Sequence, residues 1–305
     1  MSQSFSPPAA RKRRQQKSVE GTLDTAFGWA IGDPKSMIVR AVFCALLLFV
    51  FAGPIMTIIV GAFDLNPDPT ALTLWPHNPS LENFRVATGR GIWGYFANSL
   101  FIAGFGLLLQ IIVAVMAGYA LARRKFYGQT VVLGIFLATM MLPEEVVAVP
   151  LAVVLGDLPL LGISIRGTIF AIILPVAASA FSILVMAAFM RDIPEEIIEA
   201  ARIDGASEFR ILLQVILPMS LPALGVVAIF GFNGIWDQYL LPLVAANRTD
   251  DYTITVILRS LRADIEVGTG ALLAGAFLAL IPSLIVYLLL QKSLVRGMTS
   301  GAIKG

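Results

Sequence analysis

Six stretches of this chain run for eighteen or more residues without a charged side chain: Ala41–Phe63, Gly91–Ala122, Phe126–Pro143, Gly167–Met190, Ile211–Trp236 and Val267–Gln291. An α-helix rises 1.5 Å per residue, so each reaches the roughly 18–20 residues that cross about 30 Å of hydrocarbon. One such run is compatible with a buried core helix; six in 305 residues are not. Only 14% of the residues are charged, against about a quarter in soluble domains. Backbone facing lipid satisfies its hydrogen bonds only in helices or closed barrels, and strand-like alternation is absent. The expected class is an all-α polytopic membrane protein with six transmembrane helices.

Lys and Arg set the orientation. The N-terminal segment, the turns after the second and fourth runs and the C-terminal tail together hold 16 of them; the opposite side holds Arg85, Arg90, Arg166, Arg248, Arg259 and Arg262. Both termini are therefore expected to be cytoplasmic. The basic run at 11–17 lies far upstream of the first apolar stretch, which has no small-residue cleavage site, so it reads as an uncleaved extension touching anionic lipid. A short interfacial helix is expected at Thr22–Ile31. The organisation expected is a basic extension over 1–36, a first transmembrane helix over 37–63 kinked at Gly53-Pro54, an extracytoplasmic loop over 64–94, a core over 95–292 and a cytoplasmic tail over 293–305. Within the core, spans are expected at about 95–122, 129–155, 167–190, 212–245 and 268–291. His77 has no Cys or second His near it and reads as a surface residue, and Cys44 as a small apolar one. No nucleotide-binding loop, Cys/His cluster or nucleophile elbow is present, so no metal site, enzymatic activity or bound cofactor is expected.

Between the fourth and fifth runs the chain turns polar: Arg191–Gln214 reads "RDIPEEIIEAARIDGASEFRILLQ". Asp192 is expected to cap a short helix, with Pro194 in its first turn and Glu195 completing a capping box. Ile193, Ile197, Ala200, Ala201 and Ile203 give it an apolar surface. Gly205 is expected in the left-handed conformation that ends it, and Ser207 to cap the next helix. A helix rimmed by acids and alanines suits a protein partner better than lipid headgroups.

These residues resemble the "EAA loop" of permease subunits of binding-protein-dependent ABC importers. The match comprises Glu199, Ala200, Ala201, Gly205, Leu217 and Pro218, with Val215 where isoleucine is usual. The stretches "GYALARRKFYGQ", "MMLPEEVVAVPL", "WDQYLLPL" and "VRGMTSGAIKG" resemble the carbohydrate-uptake, maltose-permease branch, and the likeness runs from about residue 40 to the end. It implies the type I importer permease fold and half of a translocation pathway shared with a homologous permease subunit as a heterodimer. Two ATPase subunits, which bind ATP and Mg, and an extracytoplasmic substrate-binding protein complete the implied assembly; nucleic acid is not an expected partner. Within the coupling loop 191–218, the resemblance assigns ATPase contact to Glu199, Ala200, Ala201, Asp204, Gly205 and Pro218. It also implies that the tail Gly297–Gly305 is ordered by contact with the ATPases.

Glu144, Glu145 and Asp237 fall inside expected spans, where a charge costs at least about 2.5–3.5 kcal/mol and usually faces protein or water. Counting along unbroken helices from the cytoplasmic side puts Glu144 and Glu145 roughly 22 Å in and Asp237 roughly 31–37 Å in. Two readings are open. The three carboxylates, with Asn233, Trp236 and Gln238, line a solute pathway; or the glutamates pair with arginine or backbone and Asp237 ends a helix. The outer segment Ala246–Glu266 is implied to meet the binding protein, a passive hairpin being the alternative. For function, a sugar or oligosaccharide importer permease is expected. The alternatives are the same fold carrying glycerol-3-phosphate or another small polar solute, or an ion-coupled secondary transporter, which leaves the Glu-Ala-Ala loop without a purpose.

Overall fold

The computed structural model describes residues 34–68, 74–159, 161–262 and 268–302. The basic run at 11–17, the helix expected at 22–31 and the last three residues of the tail lie outside the described residues. Contacts divide the chain into two compact units, one holding residues up to Ile58 together with Pro69–Trp75, the other holding Ile59–Asp68 and Pro76–Gly305. Among the described residues the regular elements are helical, with one isolated antiparallel bridge between Asp64 and Pro79.

Helix α1, Pro34–Ala62, begins in the first unit and runs without interruption through Gly53-Pro54. Its side chains from Met37 to Phe51 are exposed, as expected of a surface solvated by lipid. In the second unit, α2 (Glu82–Gly89) occupies the loop expected over 64–94. Asn83 at its start is buried, and its amide nitrogen donates to Gly61 O (3.2 Å), Ala62 O (3.3 Å) and Asp64 O (2.6 Å). One side chain thus gathers three carbonyls at and just beyond the end of α1, where the intrahelical ladder runs out. Asp64, also buried, accepts from the backbone N–H groups of His77 (2.7 Å), Asn66 (3.2 Å) and Asn78 (3.4 Å). The His77 bond is the main reason the Asp64 carboxyl is held below its ordinary range, burial acting against it. His77 itself is exposed, its ring 3.6 Å from Asp64.

Helix α3, Ile92–Arg123, runs for 32 residues through the centre of the bundle. It packs along α7 (Ala180–Arg191), α6 (Phe170–Ala177) and α10 (Leu221–Trp236). Gly118 permits the closest of these approaches: a Cβ there would lie 2.8 Å from Met186 Cβ and 3.1 Å from the Ala187 nitrogen. Small residues at such crossings let backbones meet where no water-driven force operates between helices.

Three expected spans are broken. The third becomes α4 (Gln129–Met140) and α5 (Glu144–Gly156), bent by 110° at Met141–Pro143. Pro143 has extended backbone (φ −61°, ψ 137°) and biases Leu142 away from helix. The depth of roughly 22 Å inferred for Glu144 and Glu145 therefore does not hold, because it assumed one unbroken helix; they open a new one. The fourth is interrupted at Ala178–Ser179, where Ser179 caps α7 by accepting from the Ser182 N–H at 3.4 Å. The fifth comprises Glu208–Met219 (α9) and α10, bent by 78° at Ser220. Leu212–Ile216 within α9 is a π turn. Pro218 and Pro222, on either side of the bend, each remove a backbone donor. Helix α10 stops at Trp236, short of the expected 245, and a separate α11 (Leu240–Ala245) follows. Helix α8 (Glu195–Ile203) joins α7 to α9; α12 (Ile254–Arg262) fills the outer segment, and α13 (Gly268–Ala302) closes the chain. Among the described residues, and with α6 and α7 taken as the single span Phe170–Arg191, four helices are long and apolar enough to cross a membrane, and up to six spans result if each bent pair counts as one.

Two large apolar clusters fill the second unit, beside a small one around Leu261 and Ala271. One gathers Tyr119, Met186, Met190, Ile198, Ile211 and Ile216 around α8; the other gathers Ile102, Ile173, Phe232, Trp236, Leu241 and Ile254 around the far end of α10. The two candidate sites lie against these two clusters.

Candidate coupling helix and solute cavity

Helix α8 begins differently from expectation. Asp192 has helical backbone (φ −79°, ψ −10°) and terminates α7, while Pro194, extended, stands at the N-cap position of α8 with no side-chain cap of its own. Glu195 is instead committed to ion pairs with Arg123 (2.8 Å) and Arg202 (3.4 Å). The far end of α8 matches expectation in detail. Gly205 has φ +79°, its N–H donates to Arg202 O at 3.0 Å, and the Ala206 N–H donates to Ala201 O at 3.0 Å. These are the paired bonds of a left-handed helix stop. Ser207 accepts from the Arg210 N–H at 3.4 Å and starts α9.

The two faces of α8 do separate chemistry. Ile198 is fully buried and, with Ile193, anchors the helix in the first cluster, against which Ala201 also packs. The expected pairing of Ala200 with Ala201 on one smooth surface is thus divided: Ala200 is exposed and Ala201 faces inward, because 100° separates neighbours on a helix. The outer face presents Glu196, Ile197, Glu199, Ala200, Ile203 and Asp204, with Ile203 86% exposed. Glu199 makes no ion pair among the described residues. Pro218 is exposed in α9, on the approach to the Ser220 bend.

A charge cluster that the sequence reading missed ties α8 to α3. The Arg123 side chain, 8% exposed, donates to Glu195, to Met190 O (2.5 Å) and to Ile193 O. Glu208 pairs with Arg202 (3.1 Å) and Arg124 (3.0 Å) and accepts from the Tyr119 hydroxyl. The Glu208 carboxylate beside Arg202 raises that guanidinium above its ordinary range, keeping it charged. These arginines read as orienting charge in the sequence, and nothing local in "GYALARRKF" marks them as partners of the acids in the 191–214 loop.

A second site is a cavity of about 850 Å³. Glu144, Glu145, Asn233, Asp237 and Gln238 all line it, so residues 90 apart in sequence converge as one of the two open readings required. Trp236 does not. It is 3% exposed, its indole N–H donates to Ala279 O at 3.1 Å, and its ring stacks on Phe232 (centroids 5.6 Å apart). Asn233 and Asp237, four residues apart, share a helix face from which Trp236 is turned by 100°. Asp237 also ends α10, its N–H bonded to Asn233 O at 2.9 Å, so the helix-end reading holds beside the cavity reading. The glutamates form no ion pair among the described residues, which leaves the pairing alternative without support.

The cavity adds residues the sequence reading did not select. Gln110 reaches it beside Gly231, where a Cβ would stand 3.1 Å from the Gln110 amide nitrogen, and donates to Ser182 at 2.5 Å. Ser179, Phe181, Phe230 and Tyr239 line it too, and Arg259 of α12 stacks over the Tyr239 ring at 4.3 Å. The side-chain carbonyl oxygens of Asn233 and Gln238 are buried without a donor. Carboxylates, unpaired amide oxygens and aromatic rings together suit a ligand rich in hydroxyl donors with apolar sugar-like faces. Among the described residues no group of three His, Cys, Asp or Glu side chains is placed to hold a metal ion.

Residues 110–300 match the model of a family described as the binding-protein-dependent transport system inner membrane component. A probable ABC transporter permease protein of Bacillus subtilis is 31% identical over 285 residues, covering 91% of this chain and 90% of that one. The diacetylchitobiose uptake system permease protein DasC of Streptomyces coelicolor is 30% identical over 267 residues, covering 86% and 95%. Among solved structures, a chain of a bacterial ABC transporter involved in importing the acidic polysaccharide alginate superposes with TM-score 0.70 at 23% identity, covering 95% of this chain and 99% of that chain. That likeness concerns the fold.

Proposed function

The chain belongs to the inner membrane components of binding-protein-dependent transport systems, and from that premise we propose that it imports a sugar or oligosaccharide through the 850 Å³ cavity under force received at α8. It is a multi-pass permease subunit of an ABC importer and carries no catalytic step of its own. Family membership implies an ATPase and a binding protein in the complex.

The finer assembly is a heterodimer with a second, homologous permease subunit, two ATPase subunits below and lipid around. Helix α8 lies on the cytoplasmic side, where its outer face (Glu199, Ala200, Asp204 and the Gly205 turn) seats in the ATPase. Pro218 helps set the bend of the helix that follows. The observation that carries this reading is the separation of two chemistries on one set of helices. An exposed face of acids and aliphatic side chains, without ion pairs among the described residues, sits at one end of α3 and α7, and an acceptor-lined cavity sits further along them. Closure of the ATPase pair would rock those helices and alternate access to the cavity.

The relative from Streptomyces named for diacetylchitobiose uptake supports a saccharide solute. Three carboxylates against a single guanidinium in the lining disfavour the phosphate-bearing alternative. The test is purification of the tagged complex in mild detergent, then uptake of a labelled β-linked disaccharide by vesicles with and without ATP. An ATPase subunit should co-purify and uptake should require hydrolysis; uptake driven by a sodium or proton gradient without that subunit would return the ion-coupled alternative.

A further inference from the structure

Two routes lead from α8 to the cavity. The covalent route forward passes through α9 and crosses a π turn, Pro218 and the 78° bend at Ser220 before reaching α10. Such a path yields under load, because π turns, prolines and bends are where helices deform. The other route is non-covalent and short. Arg123 is the last residue of α3, and its guanidinium, almost wholly buried, holds three acceptors from three consecutive pieces of chain. Met190 O belongs to the last turn of α7, Ile193 O to the connector, and Glu195 is the first residue of α8.

Arginine suits this place for physical reasons. Its planar fork presents several donors at fixed angles, which a lysine ammonium does not. Its charge lies against the negative end of the α7 dipole. The same α3 terminus grips the other end of α8 through Tyr119 and Arg124 on Glu208, itself paired with Arg202. Upstream on α3, Gln110 lies thirteen residues from Arg123, roughly 20 Å along the axis, and there it lines the cavity and bonds Ser182 of α7.

We infer that Arg123 is a positioning residue for energy coupling: it fixes α8 to α3 and α7 as one rigid piece, so that movement imposed on α8 reaches the cavity. The inference rests on the reading of α8 as the surface that meets the ATPase. Removing the guanidinium then leaves ATP hydrolysis by the partner subunits disconnected from events at the cavity.

The test uses the assembled transporter in proteoliposomes, with Cys44 replaced by serine and Val147, which lines the cavity, replaced by cysteine. A membrane-impermeant methanethiosulfonate reports accessibility of that cysteine without nucleotide and with ATP plus vanadate; ATP hydrolysis is measured in parallel. In Arg123→Gln the nucleotide-dependent change in labelling rate, divided by the hydrolysis rate, should fall at least about fivefold. Arg123→Lys should restore part of it, and Glu195→Gln, which keeps both carbonyl contacts, should lose about two- to threefold. A purely structural role would lower complex yield and scale labelling and hydrolysis together; an unchanged ratio in all three variants overturns the inference. If Arg123→Gln fails to assemble, the lysine and Glu195→Gln variants decide it by the same ratio. A parent complex with no nucleotide-dependent labelling change would instead refute the underlying coupling reading, and the inference with it.

Discussion

Replacing Gly205 separates what the backbone requires from what the surface requires. At φ +79° an alanine enters the left-handed region, at a cost of roughly 1–2 kcal/mol. No heavy atom lies within 4 Å of a Cβ built there, so no steric term adds to it. Asparagine, which visits this region routinely, should cost less than alanine. Since 1.4 kcal/mol is a factor of about ten in an equilibrium constant, both variants should insert and assemble, with Asn the more stable. Transport should rank the other way. If the turn abuts an ATPase, the larger side chains of Asn and Asp obstruct docking where a methyl is tolerated. Gly205→Ala should therefore keep most uptake, Gly205→Asn should lose most, and Gly205→Asp should abolish both uptake and substrate-stimulated hydrolysis. Thermal unfolding in detergent gives the first order and vesicle uptake the second. Wild-type uptake by Gly205→Asn would sink the claim that anything docks against this turn.

Truncating the anchor of α8, Ile198→Ala, removes a fully buried side chain and should destabilise its docking by about 2–5 kcal/mol; amide exchange across 195–203 should accelerate while α3 stays protected. Gly118→Ala drives a Cβ to 2.8 Å from Met186 and should cost about 1–3 kcal/mol by overpacking, whereas Gly104→Ala, with open space around it, should leave the melting temperature unchanged. Because Asp64 has its folded pKa lowered, chiefly by the His77 N–H, its stabilising effect is complete above the usual aspartate range of about 3.9 and disappears as pH falls through the depressed value. Asp64→Asn should flatten the loss of thermal stability between pH 5 and pH 3, and an unchanged acid limb would refute that assignment. Trp236→Phe should lose the bond to Ala279 O, destabilising the fold by about 1 kcal/mol without changing solute affinity, since the indole packs away from the cavity.

What could be read from the chain followed from local, directional signals. The stop at Gly205 and the cap at Ser207 were legible because a left-handed residue and a hydroxyl before a helix each have one physical use. Hydropathy found the membrane segments but was blind to their breaks, since a window average is the same whether Met141–Pro143 is straight or bent. Proline at 143, 218 and 222 marked those places without giving an angle. Glu144, Glu145 and Asp237 converge on one cavity for a reason sequence could state, the cost of charge in hydrocarbon. Trp236 was misassigned through sequence adjacency to Asp237, because neighbours on a helix face different ways. Arg123 was counted as an orienting charge, and its buried role depends on α3, α7 and α8 meeting at one point, a tertiary fact with no local signature.

The bend between α4 and α5 has a consequence for how the chain enters its membrane. With 12 and 13 residues, these helices measure roughly 18 and 20 Å, so neither alone bridges a bilayer interior of about 30 Å. The segment therefore cannot be threaded as a finished crossing. Non-helical peptide units are tolerated at depth only against protein or a wetted space; Met141 and Leu142 at this corner are 83% and 54% exposed within this chain, so its cover comes from another chain or from water.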